Sequence, residues 1–547
     1  MESPRWNSHQ IDSPQMDSST VDSPCAGAPS LDSPVVSESQ DIRPCARYQW
    51  TKSSTGLYER DIDEIERFYT SFCRRTEDPD HAAFAITGCV TIETPSQNVQ
   101  DTLANLEDAF RNAWWTLRNE CPALASWIQH DTNSDTWKRF YTPLHGLNGQ
   151  KRQDDWLSTS FQVVDTALSE TEWFDLDPKL YKSSQLFYVR SSSSTVNKSN
   201  YHRATIFFRA PHDMIDGHGV SKLLDRLIEL ATDQFQRPRM PQLDWSQEAS
   251  RLAAPMRVIA NIPTRPSDAQ MVRFREKMQN SAAAATGALP LGLLPSAKEG
   301  AASRKERASA HLSPEATAVL LEHCKDRGWT MTHAVSAAVT LALKHIQKTT
   351  GGSSNMRFYL QSMMSTRYLC EGRARSIQEA ASNNHMVAIQ GLGVDVTVGS
   401  AETSDDFDDI ALTMKEYYQE ERPRSSDGPE ISDLGLAPVL WSALTPQSPP
   451  GTVNADSYTN NASVGISSLG DLASAVEPER APFTLQDVWV TGECSGSAVP
   501  LMVGGWGGKL EIGTMFDRAY HERDRIESFL ADILSIVQKQ ACVRTNG

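Results

Sequence analysis

The chain has 547 residues, 39% of them hydrophobic and 22% charged, which is an ordinary globular composition with enough length for a large core and more than one domain. Its formal net charge of −17 excludes a protein that grips nucleic acid through an overall basic surface. A local basic patch for a small anion stays compatible with that charge.

No apolar run is long enough to span a bilayer, and the first residues lack the basic and apolar regions of a signal peptide. The nine cysteines are scattered and form no CxxC pair, so the expectation is a cytoplasmic chain with reduced thiols. In chain order, residues 1–44 come first, where "IDSP", "VDSP" and "LDSP" begin at positions 11, 21 and 31. Such Ser/Pro/Asp-rich text holds few large apolar groups and predicts a disordered tail.

From Arg47 onward the text alternates between helix and strand. "DIDEIERFYTSF" predicts a short helix and "AAFAITGCVTIE" a strand, followed by a long amphipathic helix with Leu103, Leu106, Phe110 and Trp114 at helical spacing. "SQLFYVRSS" and "RATIFFRA" predict two more strands, and "VSKLLDRLIELATDQF" a helix. Residues 277–308, rich in Ala, Gly and Ser, predict a linker. Beyond it Ser313 and Pro314 open a helix as N-cap and first residue, and "MTHAVSAAVTLALKHIQK" continues helical. Strands are predicted at 356–364, 385–398 and 462–470, then "LQDVWVTG", "AVPLMVGGWG" and "KLEIGTMF" before a last helix. The coarse reading is α/β, with an N-terminal half over 45–276 and a C-terminal half over 309–547.

The chemistry concentrates in "RAPHDMIDGHGVSKLLDRL", residues 209–227, between a predicted strand and a predicted helix. One reading is a metal site, but His212 and His218 lie six apart rather than four, and HExxH is absent. A second is a solvated turn in which Asp216, Gly217 and Gly219 serve backbone geometry. The third is a general base, because His212 sits at a strand end and a neutral imidazole accepts a proton near pH 7.

His212-x-x-x-Asp216-Gly217 resembles the HxxxDG signature of the CoA-dependent acyltransferase superfamily, which includes plant BAHD acyltransferases, peptide-synthetase condensation domains and fungal trichothecene O-acetyltransferases. The similarity runs from about 45 to 540 and includes "ISSLGDL" and the closing strand and helix; within the superfamily it is nearest the trichothecene 15-O-acetyltransferases. The plant DFGWG is absent, and "GGWGG" at 504–508 sits on a different strand. The resemblance implies two chloramphenicol acetyltransferase-like halves facing each other across a tunnel. It implies acetyl-CoA as co-substrate, no bound cofactor or metal, and a small hydrophobic alcohol as acceptor; a two-half chain that buries its own core is expected to be a monomer.

By the same resemblance His212 is the base, and Asp216 shapes the loop by a bidentate pair with Arg367 while Gly217 lets the backbone turn tightly. Ser467, Ser468 or nearby backbone N–H groups are candidate oxyanion donors. Trp506 either lines the acceptor pocket or belongs to the core. His218 is read as the first turn of the helix, and His385 is left between a supporting and a structural role. Rival readings are a condensation-like enzyme fed by a carrier protein, a non-catalytic binder, and a metallohydrolase at His212 and His218.

Overall fold

The protein is described by a computed structural model covering residues 46–542, apart from 75–80, 96–98, 133, 146–148, 192–200, 240–241, 294–302, 350–354, 371–375, 398–403, 424–431, 446–463 and 494. The predicted tail lies outside these residues.

Two large mixed sheets carry the molecule. The first has six strands in the order Glu479–Arg480, Phe483–Gly492, Ala85–Pro95, Tyr201–Pro211, Gln185–Ser191 and Phe161–Thr166. The second has seven: His385–Val387, Asn355–Ser365, Val464–Asp471, Leu501–Trp506, Lys509–Asp517 and Lys305–His311 in order, with Leu392–Thr397 also on Asn355–Ser365. A separate four-stranded sheet, Thr51–Lys52, Tyr58–Asp61, Thr136–Tyr141 and Trp127–Asp131, went unread in the sequence.

The first sheet is buried on both faces. One face lies under the Val99–Glu120 helix and the motif helix, Gly217–Gln236, whose Val220, Leu223, Leu224, Leu227 and Ile228 are fully buried. Gly88 sets the depth of that contact, since a Cβ there would lie 2.4 Å from Val220 Cγ1 and 2.7 Å from Leu224 Cδ1. The other face carries Cys89, Phe187, Phe207 and Trp489, which pack with Met515 of the second sheet. Here the halves meet, and Arg307 lies 4.0 Å over the Trp489 ring.

Two boundaries differ from the sequence reading. The predicted linker at 277–308 is not loop throughout: the Asp268–Ala285 helix runs into it and the Lys305–His311 strand begins inside it. Its alanines read as low complexity but are the best helix formers, and they extend a helix that Ser267 and Gln270 cap. The Phe483–Gly492 strand, placed by chain position in the C-terminal half, pairs antiparallel with Ala85–Pro95 of the N-terminal half. Also, the strand predicted over 385–398 is interrupted into His385–Val387 and Leu392–Thr397. None of the described helices is long and apolar enough to cross a membrane.

Candidate active site

His212 follows directly on the motif strand, Tyr201–Pro211, and its backbone is held on both sides. Its N–H donates to Phe84 O at 3.0 Å, and its carbonyl accepts from Asn383 Nδ2 at 3.0 Å. Tyr69, from the Glu64–Cys73 helix, stacks on the imidazole at 4.2 Å between centroids and 13° between planes. Gly492, the last residue of the crossing strand, borders the ring, and a Cβ there would lie 3.7 Å from both Nε2 and Cδ2. Nδ1 is buried without a hydrogen-bond partner, which leaves Nε2 as the nitrogen an incoming hydroxyl can reach. Burial, and then repulsion from His385, push the imidazole pKa down to about 4, so the free base prevails at neutral pH.

Asp216 does other work. It is the N-cap of the motif helix, with Oδ1 accepting from Gly219 N at 2.8 Å and from Arg367 Nη2 at 2.8 Å. Its Oδ2 accepts from Asn384 N at 2.7 Å. Burial alone would raise this carboxyl, but Arg367 and His385 outweigh it and hold the pKa well below the usual range. A carboxylate so fully engaged orients the turn and does not take up a substrate proton.

The expected clamp differs in one detail. Arg367 reaches Asp216 through Nη2 alone rather than as a bidentate fork, because its other bonds go to Glu379 O at 3.2 Å and Ser382 O at 2.9 Å. It sits on a 3-10 turn, Arg367–Leu369, just past the Asn355–Ser365 strand. Nor is the tight constraint at Gly217. Neither Gly217 nor Gly219 has positive φ, and it is at Gly219 that a Cβ would lie 2.1 Å from Ala380 O. The glycine there is needed because the Gln378–Ala380 turn presses on the helix start.

The remaining predicted residues divide. Val464 and Ile466 face the helix-covered core of the second half, and Ser468 follows that alternation, taking a hydrogen bond from Thr332 Oγ1 at 2.9 Å. Ser467 alternates to the opposite face, and next to it Leu469 reaches the motif helix, with Cδ2 3.1 Å from where a Gly217 Cβ would stand. Trp506 is buried in the core beside the motif half, so it is no free pocket wall. His218 lies in the first turn of the motif helix, and burial lowers its pKa. No group of three His, Cys, Asp or Glu side chains poised for a metal occurs among the described residues.

Sequence reasoning missed Tyr69, Asn383, Asn384 and Gly492. Of these only Asn383 and Asn384 carried a signal in the text, as the two amides of the "SNNH" run ending at His385. Their segment is tied down by a buried charge web in which Glu66 takes both Arg60 nitrogens, at 2.7 and 2.6 Å, and Arg139 at 3.2 Å. Arg139 also donates to Ala381 O at 3.4 Å.

No protein-family model matches the sequence. Among curated proteins, the O-acetyltransferase pigM of Monascus ruber is 25% identical over 341 residues, 60% of this chain and 60% of that protein. The chain thus spans less than two thirds of that relative's length. Among solved structures, the TRI3 trichothecene 15-O-acetyltransferase of Fusarium sporotrichioides superposes with TM-score 0.70 at 18% identity, covering 90% of this chain and 98% of that one. The first condensation domain of the CDA synthetase gives 0.52 at 13% identity, over 89% and 96%. The chain therefore has the two-half α/β fold shared by these acetyltransferases and condensation domains.

Proposed function

We propose that the protein is an acyl-CoA-dependent O-acyltransferase, acetylating a hydroxyl of a trichothecene-type sesquiterpenoid with His212 as general base. The observation that carries this is the setting of His212: stacked in place by Tyr69, bordered at Nε2 by a glycine, and kept toward its free base by burial. The names of the similar proteins support the acyl donor and the acceptor class.

In the reaction, Nε2 removes the acceptor O–H proton while the oxygen attacks the thioester carbonyl carbon. The tetrahedral oxyanion then collapses with cleavage of the C–S bond, and the imidazolium returns its proton to the departing thiolate. Ester and free CoA leave, and the base is regenerated. Ser467, on the strand face turned away from the helical layer, is the candidate oxyanion donor.

The test is thiol release from acetyl-CoA in the presence of a trichothecene alcohol with a free C-15 hydroxyl. Acceptor-dependent release should fall about 10²- to 10⁴-fold in His212→Ala, the range for loss of a positioned base. Undiminished release in the variant overturns the role of His212. No acceptor-dependent release in the wild type overturns the acceptor.

A further inference from the structure

Tyr69 and His385 come from opposite halves of the chain, 316 residues apart, and share a hydrogen bond of 2.8 Å between the phenol oxygen and Nε2. Tyr69 is 3% exposed, and its ring is the one stacked on His212. On its far side His385 turns Nδ1 toward Asp216 Oδ2 at 3.8 Å, and this nitrogen is buried without a hydrogen-bond partner. Trp441 closes the flank, edge-on to His385 at 5.7 Å.

The proton positions follow from the surroundings. Burial, together with the Asp216 charge, raises the Tyr69 pKa, so the residue stays a phenol. Nδ1 of His385 faces a carboxylate and therefore carries the imidazole proton. Nε2 is then the acceptor, and the Tyr69 O–H donates to it. A phenol fixed at its oxygen cannot slide across the imidazole beneath it.

We propose that Tyr69 and His385 form a positioning pair that spans the two halves and sets both the orientation and the burial of His212. Asp216 reaches the base through this pair rather than by direct contact. The inference rests on the acyl-transfer reading for its catalytic consequence, but the effect on His212 is measurable in the resting protein.

Four full-length chains decide it: wild type, Tyr69→Phe, His385→Gln and His385→Ala. Thiol release gives kcat and KM, NMR of 13C-labelled histidines follows the His212 titration without substrate, and thermal unfolding controls for integrity. Tyr69→Phe keeps the ring but loses the hydroxyl, and kcat should drop about tenfold with the KM for acetyl-CoA unchanged, the order expected for one buried hydrogen bond. His385→Gln, whose amide oxygen can accept from Tyr69, should retain most of kcat where His385→Ala does not. In both His385 variants the His212 titration should move to higher pH, because losing the ring that sits 6.1 Å from the imidazole relieves the burial that keeps His212 uncharged.

A Tyr69→Phe chain with wild-type kcat, or an unmoved His212 titration in both His385 variants, overturns the pair. Losses that track a fall in thermal midpoint equally across all variants reduce it to a structural contact and also overturn it. A wild type that turns over without need of His212 overturns the acyl-transfer reading instead, and the titration alone then decides whether the pair governs the imidazole.

Discussion

At the scale of single residues, the site separates two jobs that a short motif holds four positions apart. Burial disfavours charge on His212 and leaves it a free base, while Asp216, the more deeply buried of the two, keeps its charge chiefly because Arg367 faces it, with two backbone N–H groups also donating to its oxygens. The consequence appears in the pH profile. A base works only when unprotonated, and this one protonates near 4 instead of at the ordinary histidine value of about 6.5. As pH falls from 8, kcat/KM should therefore stay level through the range where an exposed histidine would already be lost. It should decline only as pH approaches about 4. A profile with its acid limb between 6 and 7 would show that the imidazole is solvated in the working enzyme.

At the scale of elements, the strand, turn and helix around the motif were legible because each carries local signals. The "ATIFF" run reads as strand and the apolar stripe from Val220 to Ile228 reads as helix, whereas the N-cap role of Asp216 came only with the structure. What the text could not show is which glycine is under pressure, because that depends on segments distant in sequence. Gly219 faces Ala380 O and Gly492 faces the His212 ring, so the two should respond differently to added carbon. Gly219→Ala must displace backbone and should lower stability by about 3 kcal/mol in denaturant unfolding. Gly492→Ala meets the ring only at van der Waals distance and should fold normally. Gly492→Val, whose extra methyls enter the space beside Nε2, should cut kcat/KM for the alcohol about 10- to 100-fold while sparing the acetyl-CoA KM. If Gly492→Val leaves the alcohol reaction intact, the acceptor does not approach on that edge.

At the scale of the whole molecule, two similar halves were legible from the alternation of strands and helices, but their mutual dependence was not. The boundary drawn by composition is the stretch 277–308, whereas the chain after Leu472 returns to the first half. Phe483–Gly492 forms ladder pairs with Ala85–Pro95 from Thr484↔Glu93 to Gly492↔Ile86. Leu472, Val476, Phe483 and Trp506 join the core under the motif helix. Arg209 adds a buried ion pair with Glu493 at 2.6 Å, and Asp175 takes the Arg307 N–H at 2.9 Å. Without its returning strand the N-terminal sheet would present the apolar Ala85–Pro95 strand as an open edge, which is a template for aggregation. The halves should therefore unfold together despite a length that permits two domains. Calorimetry should give one transition whose van't Hoff enthalpy matches its calorimetric enthalpy. Two resolved transitions would mean that the crossing strand pairs too weakly to couple the halves, and that Gly492 is free to leave the face of His212 in the folded protein.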